Sequence, residues 1–516
     1  MMILRRSADS EICKRGGTSH LAVVMLVLAL SGCAAGPNFK APPPPTTTGY
    51  VPRSEAAASD DDAGPAAPKQ TLALGEKVAA DWWTLFRSPD LDQVVQEAIA
   101  GSRTLESAKA RLTQAREAIA ASSSALYPQV GLTAGVARER VSATEFGLGP
   151  RAFPLPPNFN LFQVGPTASY TLDLFGGARR HIEQQSALAD YQRDQLAAAY
   201  LTLTGDTVTE VVQVATIRGL LKVVGDILDI DRENLDLVRK ERQAGTVPDS
   251  DVVIAESQLA EDETLQPGLE QQQSAAKHAL AVLLGRAPGD WSPPDFDLAS
   301  LTLPDQLPVS LPSELVHQRP DIQAAEAQLH AASAEIGIAT AQLYPAITLS
   351  AAASTSALDA RQLFDSAGLV WSIAAGLTQP LFDGGLRRAE RRAALAAFKA
   401  SAADYQQTVI QAFGQIADIL QALTHDAHLL AAQQHALDMA SESVRLQRIS
   451  YSRGGTGILN LLDAQRQYQQ ALLAFTRAQA MRYQDTIQLL VALGGGWWDA
   501  NFTVSENYRP ARGMRR

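Results

Sequence analysis

The chain has 516 residues, of which 46% are hydrophobic and only 6% are aromatic, and its formal net charge at pH 7 is −11. This length allows two to four ordinary domains or one very elongated domain, and the low aromatic content is typical of extended helices rather than compact aromatic cores. The acidic balance argues against a nucleic-acid partner, which would require a basic face.

The chain begins with a segment that resembles a secretory leader. Four basic residues precede a ten-residue apolar run, Leu21–Leu30, which is too short to cross a bilayer as a helix. We therefore predict a lipoprotein signal peptide over residues 1–32. The run leads into Leu30-Ser31-Gly32-Cys33, which resembles a bacterial lipobox, so Cys33 is the predicted lipid attachment site. The alternative is an ordinary signal peptide with an incidental cysteine.

Residues 33–75 are rich in Pro, Ala, Thr and Asp, and we predict an extended N-terminal tether with little secondary structure. The only other cysteine, Cys13, would leave with the signal peptide, so we expect neither a disulfide within the mature chain nor a cysteine metal site. No run of 18 apolar residues follows Cys33, so we expect no transmembrane helix in the mature chain.

The rest of the chain contains an internal repeat. Three landmarks occur twice in the same order, which pairs Thr104–Pro128 with Asp321–Pro345, Leu174–Gly177 with Leu381–Gly385, and Gly245–Ala255 with Gly454–Ala464. The spacing is far longer than a solenoid unit, so it indicates a duplicated domain. We predict repeats over 76–305 and 306–500, followed by a C-terminal tail, 501–516.

Each repeat has the pattern of a helix, two strands, a very long helix, a turn and a helix. Helical spacing of apolar residues covers Asp90–Ala125, and alternation predicts four strands, at Gln129–Val136, Phe162–Leu174, Ala346–Ala353 and Leu369–Leu381. Two stretches without proline, Ala178–Gln243 and Leu386–Arg453, predict helices of about 100 Å each. Helices of that length must pack along partners, usually as coiled coils.

The four strands are long enough to cross a bilayer when tilted. An open sheet edge cannot lie in lipid, because its unpaired N–H and C=O groups would find no partner there. Insertion would therefore require several chains to share one barrel, and three chains would supply twelve strands. The predicted fold is an α+β membrane protein with coiled-coil helices. The alternative is four soluble strands that cap a helical bundle.

Several motifs resemble the outer-membrane factor family, most closely its NodT/OprM-type branch, over residues 33–498. They are the lipobox, Trp82-Trp83-x-x-Phe86, Gln318–Ile322, both Leu-Tyr-Pro motifs, both Leu-Phe-(Asp)-Gly-Gly motifs and Ala492–Trp497. The resemblance implies a homotrimer with a twelve-stranded β-barrel in the outer membrane and an α-helical tunnel through the periplasm. Ala34, after the cysteine, implies sorting to the outer membrane.

By the same resemblance, the chain is expected to be the exit duct of a tripartite RND-type efflux system. The implied partners are a periplasmic adaptor (membrane fusion protein), an inner-membrane RND-type transporter and the lipid of the outer membrane. Two alternatives remain open at this point. One is the outer-membrane component of a type I secretion system, and the other is a lipid-anchored coiled-coil scaffold without a pore.

The turns after the two long helices are the predicted periplasmic gate and adaptor contact. Their candidate contact residues are Gly245, Thr246, Val247, Gly454, Gly455 and Gly457. The resemblance implies that Leu459 forms an apolar plug on the axis and that Asp463 forms an acidic ring that favours cations. Asn460 occupies the position of a second acidic ring, so we expect a single ring. The alternative for Asp463 is an ordinary solvated carboxylate.

No enzyme class fits the sequence. His425 and His428 share a helix face, but a metal site would need a third ligand that the sequence does not supply. Gly454–Gly457 lacks the Lys and Ser/Thr of a phosphate-binding loop. We therefore expect no catalytic residues, no metal and no cofactor other than the covalent lipid.

Overall fold

The computed structural model describes residues 34–47, 49–50, 70–140 and 158–497. Its strands are β1 Thr71–Leu74, β2 Gln129–Glu139, β3 Phe159–Leu172, β4 Gln306–Val309, β5 Ala346–Ala357 and β6 Leu369–Thr378. Its α-helices are α1 Pro89–Gly101, α2 Arg103–Ser123, α3 Gly177–Gln243, α4 Asp249–Glu263, α5 Leu265–Leu283, α6 Pro312–Leu315, α7 Pro320–Ala341, α8 Leu386–Ser452 and α9 Ile458–Ala492. The predicted signal peptide, Cys33 and the predicted tail 501–516 lie outside the described residues.

The described residues divide into two compact units. Unit 1 takes its residues from 34–41, 113–191 and 326–404, and unit 2 takes the remainder. Each unit therefore draws on both sequence repeats, and the repeat boundary near residue 305 stays a prediction. Helices α3 and α8, with 67 residues each, contribute to both units. Among the described helices, none combines the length and apolarity that a membrane span requires.

Unit 1 contains an antiparallel sheet of four strands in the order β2-β3-β5-β6. One row of cross-strand partners runs Val130, Ala168, Ala351, Ile373, and the adjacent row runs Gly131, Thr167, Ala352, Ser372. Cross-strand partners lie on the same face of a sheet, so one face is apolar and the other carries small and polar side chains.

The two edge strands of this sheet, β2 and β6, are exposed along their whole length. Large apolar side chains on the apolar face are uncovered, since Trp371 is 71% exposed and Ile373 is 79% exposed. An apolar face of this kind and two unpaired edges require a covering partner or lipid.

The strand and helix positions agree with the predicted ones to within a few residues at most ends, and the differences have local causes. The predicted helix Asp90–Ala125 is two helices, because Ser102 ends α1 and its hydroxyl accepts a hydrogen bond from Leu105 N–H at 3.4 Å. Strand β3 ends at Leu172 rather than Leu174. The next residue, Asp173, turns its carboxylate to the first N–H groups of α3, at 3.0 and 3.1 Å.

This capping role explains why the second Leu-Phe-(Asp)-Gly-Gly motif is one residue longer than the first. At the start of α8 the equivalent acceptor is Asp383, which lies inside its motif and accepts from Gly385 N–H at 2.8 Å and Arg387 N–H at 3.2 Å. Asp173 precedes its motif, so the first copy does not need the insertion. In both copies a carboxylate accepts hydrogen bonds from the free N–H groups at the beginning of a long helix.

Unit 2 is built around an aromatic core. Trp82 and Phe86 are fully buried, and Trp82 meets Trp83 edge to face with 6.1 Å between ring centroids. The two strands β1 and β4 pair in parallel, with Thr71 opposite Gln306. Strand β1 falls inside the predicted tether of residues 33–75, where we expected little secondary structure. Its short apolar sequence Thr71–Leu74 gains a partner strand only through the fold, so its own pattern does not reveal it.

Candidate gate at the helix turns

The turn between α3 and α4 is closed by a left-handed glycine. Gly245 has a φ of +74°, and its N–H donates to the carbonyl of Arg242 at 3.0 Å. Both the N–H and the hydroxyl of Thr246 donate hydrogen bonds to the carbonyl of Glu241, at 3.0 and 2.8 Å. This pattern satisfies the last carbonyls of α3, and a side chain at residue 245 would strain it. Arg242 also forms an ion pair with Asp249, which lowers the pKa of that carboxyl.

The turn between α8 and α9 repeats this geometry. Gly454 has a φ of +72°, and Gly455 N–H donates to the carbonyl of Ser450 at 2.9 Å. A Cβ at Gly455 would meet the Ser450 hydroxyl at 2.9 Å, whereas Gly457 lies in open space and precedes α9. Of the glycines in these two turns, Gly245 and Gly454 are therefore the two whose left-handed backbone conformation requires a glycine.

The two turns are joined by a small apolar cluster, which we call the tip core. Its buried members are Leu235, Val238, Ala255, Ile458, Leu461 and Leu462. Val247 and Tyr451 pack against it, and the Tyr451 hydroxyl donates to the Glu241 carboxylate, so α8 and α3 are also tied by a hydrogen bond. Burial, then this hydrogen bond, raises the pKa of Tyr451. Val247 is half-buried, unlike the exposed contact candidates Gly245 and Thr246.

Leu459, Asn460 and Asp463 lie together on the exposed face of α9, opposite the tip core. Leu459 and Asp463 are four residues apart and so lie one above the other on a helix. Leu459 is 44% exposed, although a leucine gains from burial. A large apolar side chain left in water beside a carboxylate is available to a partner surface.

Asp463 does not stand alone on this face. Arg466 pairs with its carboxylate at 2.5 Å, and Gln467 donates to the other oxygen at 2.9 Å. Any ring built from this position therefore combines a negative and a positive charge. The sequence contains the signal, because an arginine three residues after an aspartate on a helix is its neighbour.

Sequence reasoning did not identify two buried carboxylates that join the helices of unit 2. Asp231 of α3 faces Asp262 of α4, and Gln469 donates to it from α9 at 3.4 Å. Burial and Asp262 raise the pKa of Asp231 to about 7. Burial and Asp485 of α9 do the same for Asp426 of α8. Asp231 and Asp426 therefore keep their protons to a higher pH than an exposed aspartate does, because each is buried beside a second carboxyl group.

His425 and His428, the two histidines that share a helix face, do not point toward a third ligand side chain among the described residues. Both side chains are exposed on α8, and Asp426 between them is buried on the other side. No group of three or more His, Cys, Asp or Glu side chains suited to a metal ion occurs within residues 34–140 and 158–497 where the structure describes them.

The similarity to known proteins covers the four-stranded sheet and both helix turns. The sequence model of the family described as "Outer membrane efflux protein" matches residues 94–286 and 311–495. The pyoverdine export outer membrane protein OpmQ of Pseudomonas aeruginosa is 32% identical over 443 residues, which cover 84% of this chain and 92% of that protein.

A second relative and a solved structure extend this similarity to nearly the whole chain. The toluene efflux pump outer membrane protein TtgF of Pseudomonas putida is 30% identical over 492 residues, covering 93% of this chain and 97% of the relative. The solved structure of the outer-membrane channel OprN has a TM-score of 0.79 and 28% identity, and the match covers 90% of this chain and 100% of that structure.

Proposed function

We propose a trimeric membrane assembly for this chain, which belongs to the outer membrane efflux protein family and is the exit duct of an efflux system rather than an enzyme. In this assembly three chains share one twelve-stranded β-barrel in the outer membrane. Their long helices, arranged in two duplicated repeats, form a tunnel through the periplasm.

The observation that carries the proposal is the four-stranded sheet with two faces and two free edges. The edge strands β2 and β6 differ, so pairing β6 of one chain with β2 of the next is a head-to-tail contact that can close into a ring. Closure removes the unpaired edges, as lipid requires. The apolar face then meets lipid, while the face with Thr167 and Ser372 lines a water-filled interior.

The test uses cysteines placed one at a time along β6, at Val370, Trp371, Ser372 and Ile373. With the trimer in native membranes, a membrane-impermeant thiol reagent should react at 370 and 372, which face the water-filled interior. It should not react at 371 and 373, which face lipid. Equal reactivity at all four positions would contradict insertion and support a soluble sheet that caps the helices.

We further propose that Cys33 carries the covalent lipid that anchors the mature chain to the outer membrane. The support is the lipobox in the sequence, Leu30-Ser31-Gly32-Cys33. Metabolic labelling with palmitate should mark the wild type and leave Cys33→Ser unmarked. Equal labelling of the two would show that Cys33 is not the lipid attachment site.

We propose that the two helix turns meet a periplasmic adaptor, which connects the duct to an inner-membrane RND-type transporter. The exposed residues Gly245, Thr246, Gly454, Gly455 and Gly457 support this role, whereas half-buried Val247 holds the turn to the tip core. Relatives named for pyoverdine export and toluene efflux support a small-molecule cargo rather than a secreted protein.

We also propose that the exposed face of α9 closes the duct. Under three-fold symmetry the three copies of Leu459 meet at the axis and exclude water, and the Asp463 carboxylates form a ring below them. Arg466 belongs to this ring, because its guanidinium pairs with Asp463. Asn460 leaves the neighbouring position uncharged.

A further inference from the structure

The first described residues of the chain are bound to the surface of unit 1. We call Ala34–Phe39 the anchor segment, because it follows the predicted lipid site. Ala35 N–H donates to the carbonyl of Phe175 at 2.8 Å, just beyond the end of β3. The segment was expected to be part of a free tether, but it makes specific polar contacts along its length.

Arg180 of α3 makes most of these contacts. Its Nε donates to the carbonyl of Ala35 at 3.1 Å, and its Nη2 donates to the Asn38 side-chain oxygen at 2.7 Å. The arginine side chain is only 5% exposed, and its Nη1 pairs with Glu183 at 2.6 Å. A buried guanidinium needs an acceptor for its donors. Departure of the anchor segment would leave part of this charge without partners.

Glycines allow the backbone of the segment to lie directly on the helices. Gly36 has a φ of +88°, and a Cβ there would lie 2.5 Å from the Cα of Gly337 on α7. A Cβ at Gly337 would in turn lie 2.7 Å from the Arg180 side chain. A Cβ at Gly176 would lie 2.7 Å from the Cα of Ala34. Side chains at these three positions would therefore push the segment away.

The far end of the segment is held by an aromatic contact. The ring of Phe39 stacks on His330 of α7, with 4.3 Å between centroids and 12° between planes. His330 Nε2 lies 3.1 Å from Glu183 Oε1, so the carboxylate that pairs with Arg180 also orients the imidazole. One carboxylate thus connects both ends of the binding surface.

We propose that Arg180, Glu183, His330 and Gly337 form a clasp whose ligand is the chain's own anchor segment, and that this clasp sets where the lipid on Cys33 enters the membrane. The part concerning lipid rests on the proposed lipidation of Cys33. Ala34 is bound at the end of the sheet, so a lipid on the residue covalently bonded to it can enter the membrane only near that end. Without the clasp, the first fixed point after residue 34 would be Tyr50, whose hydroxyl donates to the carbonyl of Ser310 at 2.8 Å. The intervening chain could span about 55 Å and would leave the position of the lipid undefined.

The clasp fixes the position of the lipid relative to the barrel. When the anchor segment is bound, the acyl chains are held next to one end of the sheet, so the lipid and the sheet enter the membrane at a fixed spacing. Two attachments held at a fixed spacing bind more strongly than two joined by a long flexible linker. Arg180 is thus a positioning residue for the lipid, with no contact to cargo.

The clasp can be tested by trypsin cleavage after Lys40, an exposed residue that follows Phe39. A protease must take several residues in an extended conformation, so cutting here requires Asn38 and Phe39 to leave the surface. The rate is measured on the purified full-length protein by mass spectrometry of the product that begins at Ala41. We expect Arg180→Ala and Phe39→Ala to be cut about tenfold faster than wild type.

Two controls make the result decisive. Arg103→Ala removes an exposed arginine from an exposed ion pair with Glu106 and should be cut at the wild-type rate. Phe39 lies in the anchor segment itself, so its variant reports on the clasp even if Arg180→Ala folds poorly. Cleavage of Phe39→Ala at the wild-type rate would overturn the clasp.

Lipidation is scored separately, by palmitate labelling of the same proteins. Label on wild type and on both clasp variants, with none on Cys33→Ser, supports the full proposal. If Cys33→Ser is labelled like wild type, the lipid site is wrong, while the cleavage rates still decide whether the clasp exists. If Arg180→Ala is cleaved faster but loses its label, the clasp is needed for modification rather than for placement, and the placement role is wrong.

Discussion

At the scale of single residues, the ion pair on α9 determines what the proposed gate can select. Asp463 and Arg466 are in contact at 2.5 Å, so each charge offsets the other. We expect Asp463→Ala to lower the preference for cations and Arg466→Ala to raise it. The measurement is the reversal potential of single trimers in planar bilayers under a salt gradient. Gln470→Ala, on the same exposed face, should change nothing. A cation preference unaffected by either charge would place the selective ring elsewhere.

Leu459 gives a second prediction at this scale. Truncation to alanine removes apolar volume from the proposed constriction, so the resting channel should hydrate and conduct more readily. We expect the resting conductance of Leu459→Ala to rise several-fold in the same bilayer experiment. Val253→Ala is a suitable control, since Val253 is an exposed apolar residue on α4 outside the proposed gate. A conductance equal to wild type would exclude Leu459 as the closing residue.

The buried carboxylate Asp231 predicts how stability depends on pH. Its pKa is raised from 3.8 to about 7 in the folded state, first by burial and then by Asp262. The folded state therefore holds more protons than the unfolded state between these values. The stability that this proton provides is fully present below about pH 4, and it is lost as the pH rises through about 7.

Asp231→Asn tests this dependence, because an amide can donate to Asp262 at every pH. We expect the variant to melt a few degrees above wild type at pH 8 and close to it at pH 4. The measurement is a thermal melt followed by circular dichroism at both pH values. Asp229→Asn, an exposed residue on the same helix, is the control. A pH-independent difference between Asp231→Asn and wild type would contradict the raised pKa of Asp231.

At the scale of elements, the two helix turns depend on backbone conformation more than on side chains. Gly454 adopts a left-handed conformation that costs an alanine about 1 kcal/mol or more. We expect Gly454→Ala to lower the melting temperature by a few degrees. Gly225, inside α3 with open space around it, should respond in the opposite direction, because alanine favours a helix by about 1 kcal/mol over glycine. Changes of equal sign would contradict the geometry of the turn.

Most elements of this fold could be predicted from sequence pattern alone, because their periods are long and uninterrupted. The two 67-residue helices contain no proline, and the strands alternate cleanly, so their positions followed from period. Strand β1 could not be found this way, since its four residues are a strand only because β4 pairs with them. The break at Ser102 required the capping hydroxyl to be recognised inside an otherwise continuous helical pattern.

The positions of the two helix turns could be predicted from the sequence, whereas the gate roles of Leu459 and Asp463 remain predictions. The glycine turns and Leu459 could be located from the repeat and the resemblance. The pairing of Asp463 with Arg466 is local and could have been anticipated from spacing. The Asp231–Asp262 contact brings together residues 31 positions apart on two helices, so only the packed structure reveals it.

At the scale of the whole molecule, the proposed trimer predicts a countable mixture. Two versions of the chain that differ in length should, when expressed together, combine at random into four species if three chains associate. A dimer would give three species, and a lone chain would give two. Native mass spectrometry of the detergent-solubilised mixture provides the count. Three species would be incompatible with the twelve-stranded barrel.

The free edges of the sheet also determine how chains behave before the trimer has closed. Strands β2 and β6 offer complementary, unsatisfied backbones, so every chain can accept one neighbour and be accepted by another. The curvature of the four strands decides whether the third chain pairs with the first and closes the ring. An arc that is slightly too flat would keep adding chains and grow into a fibre. Substitutions that alter this curvature should therefore favour open polymers over closed trimers.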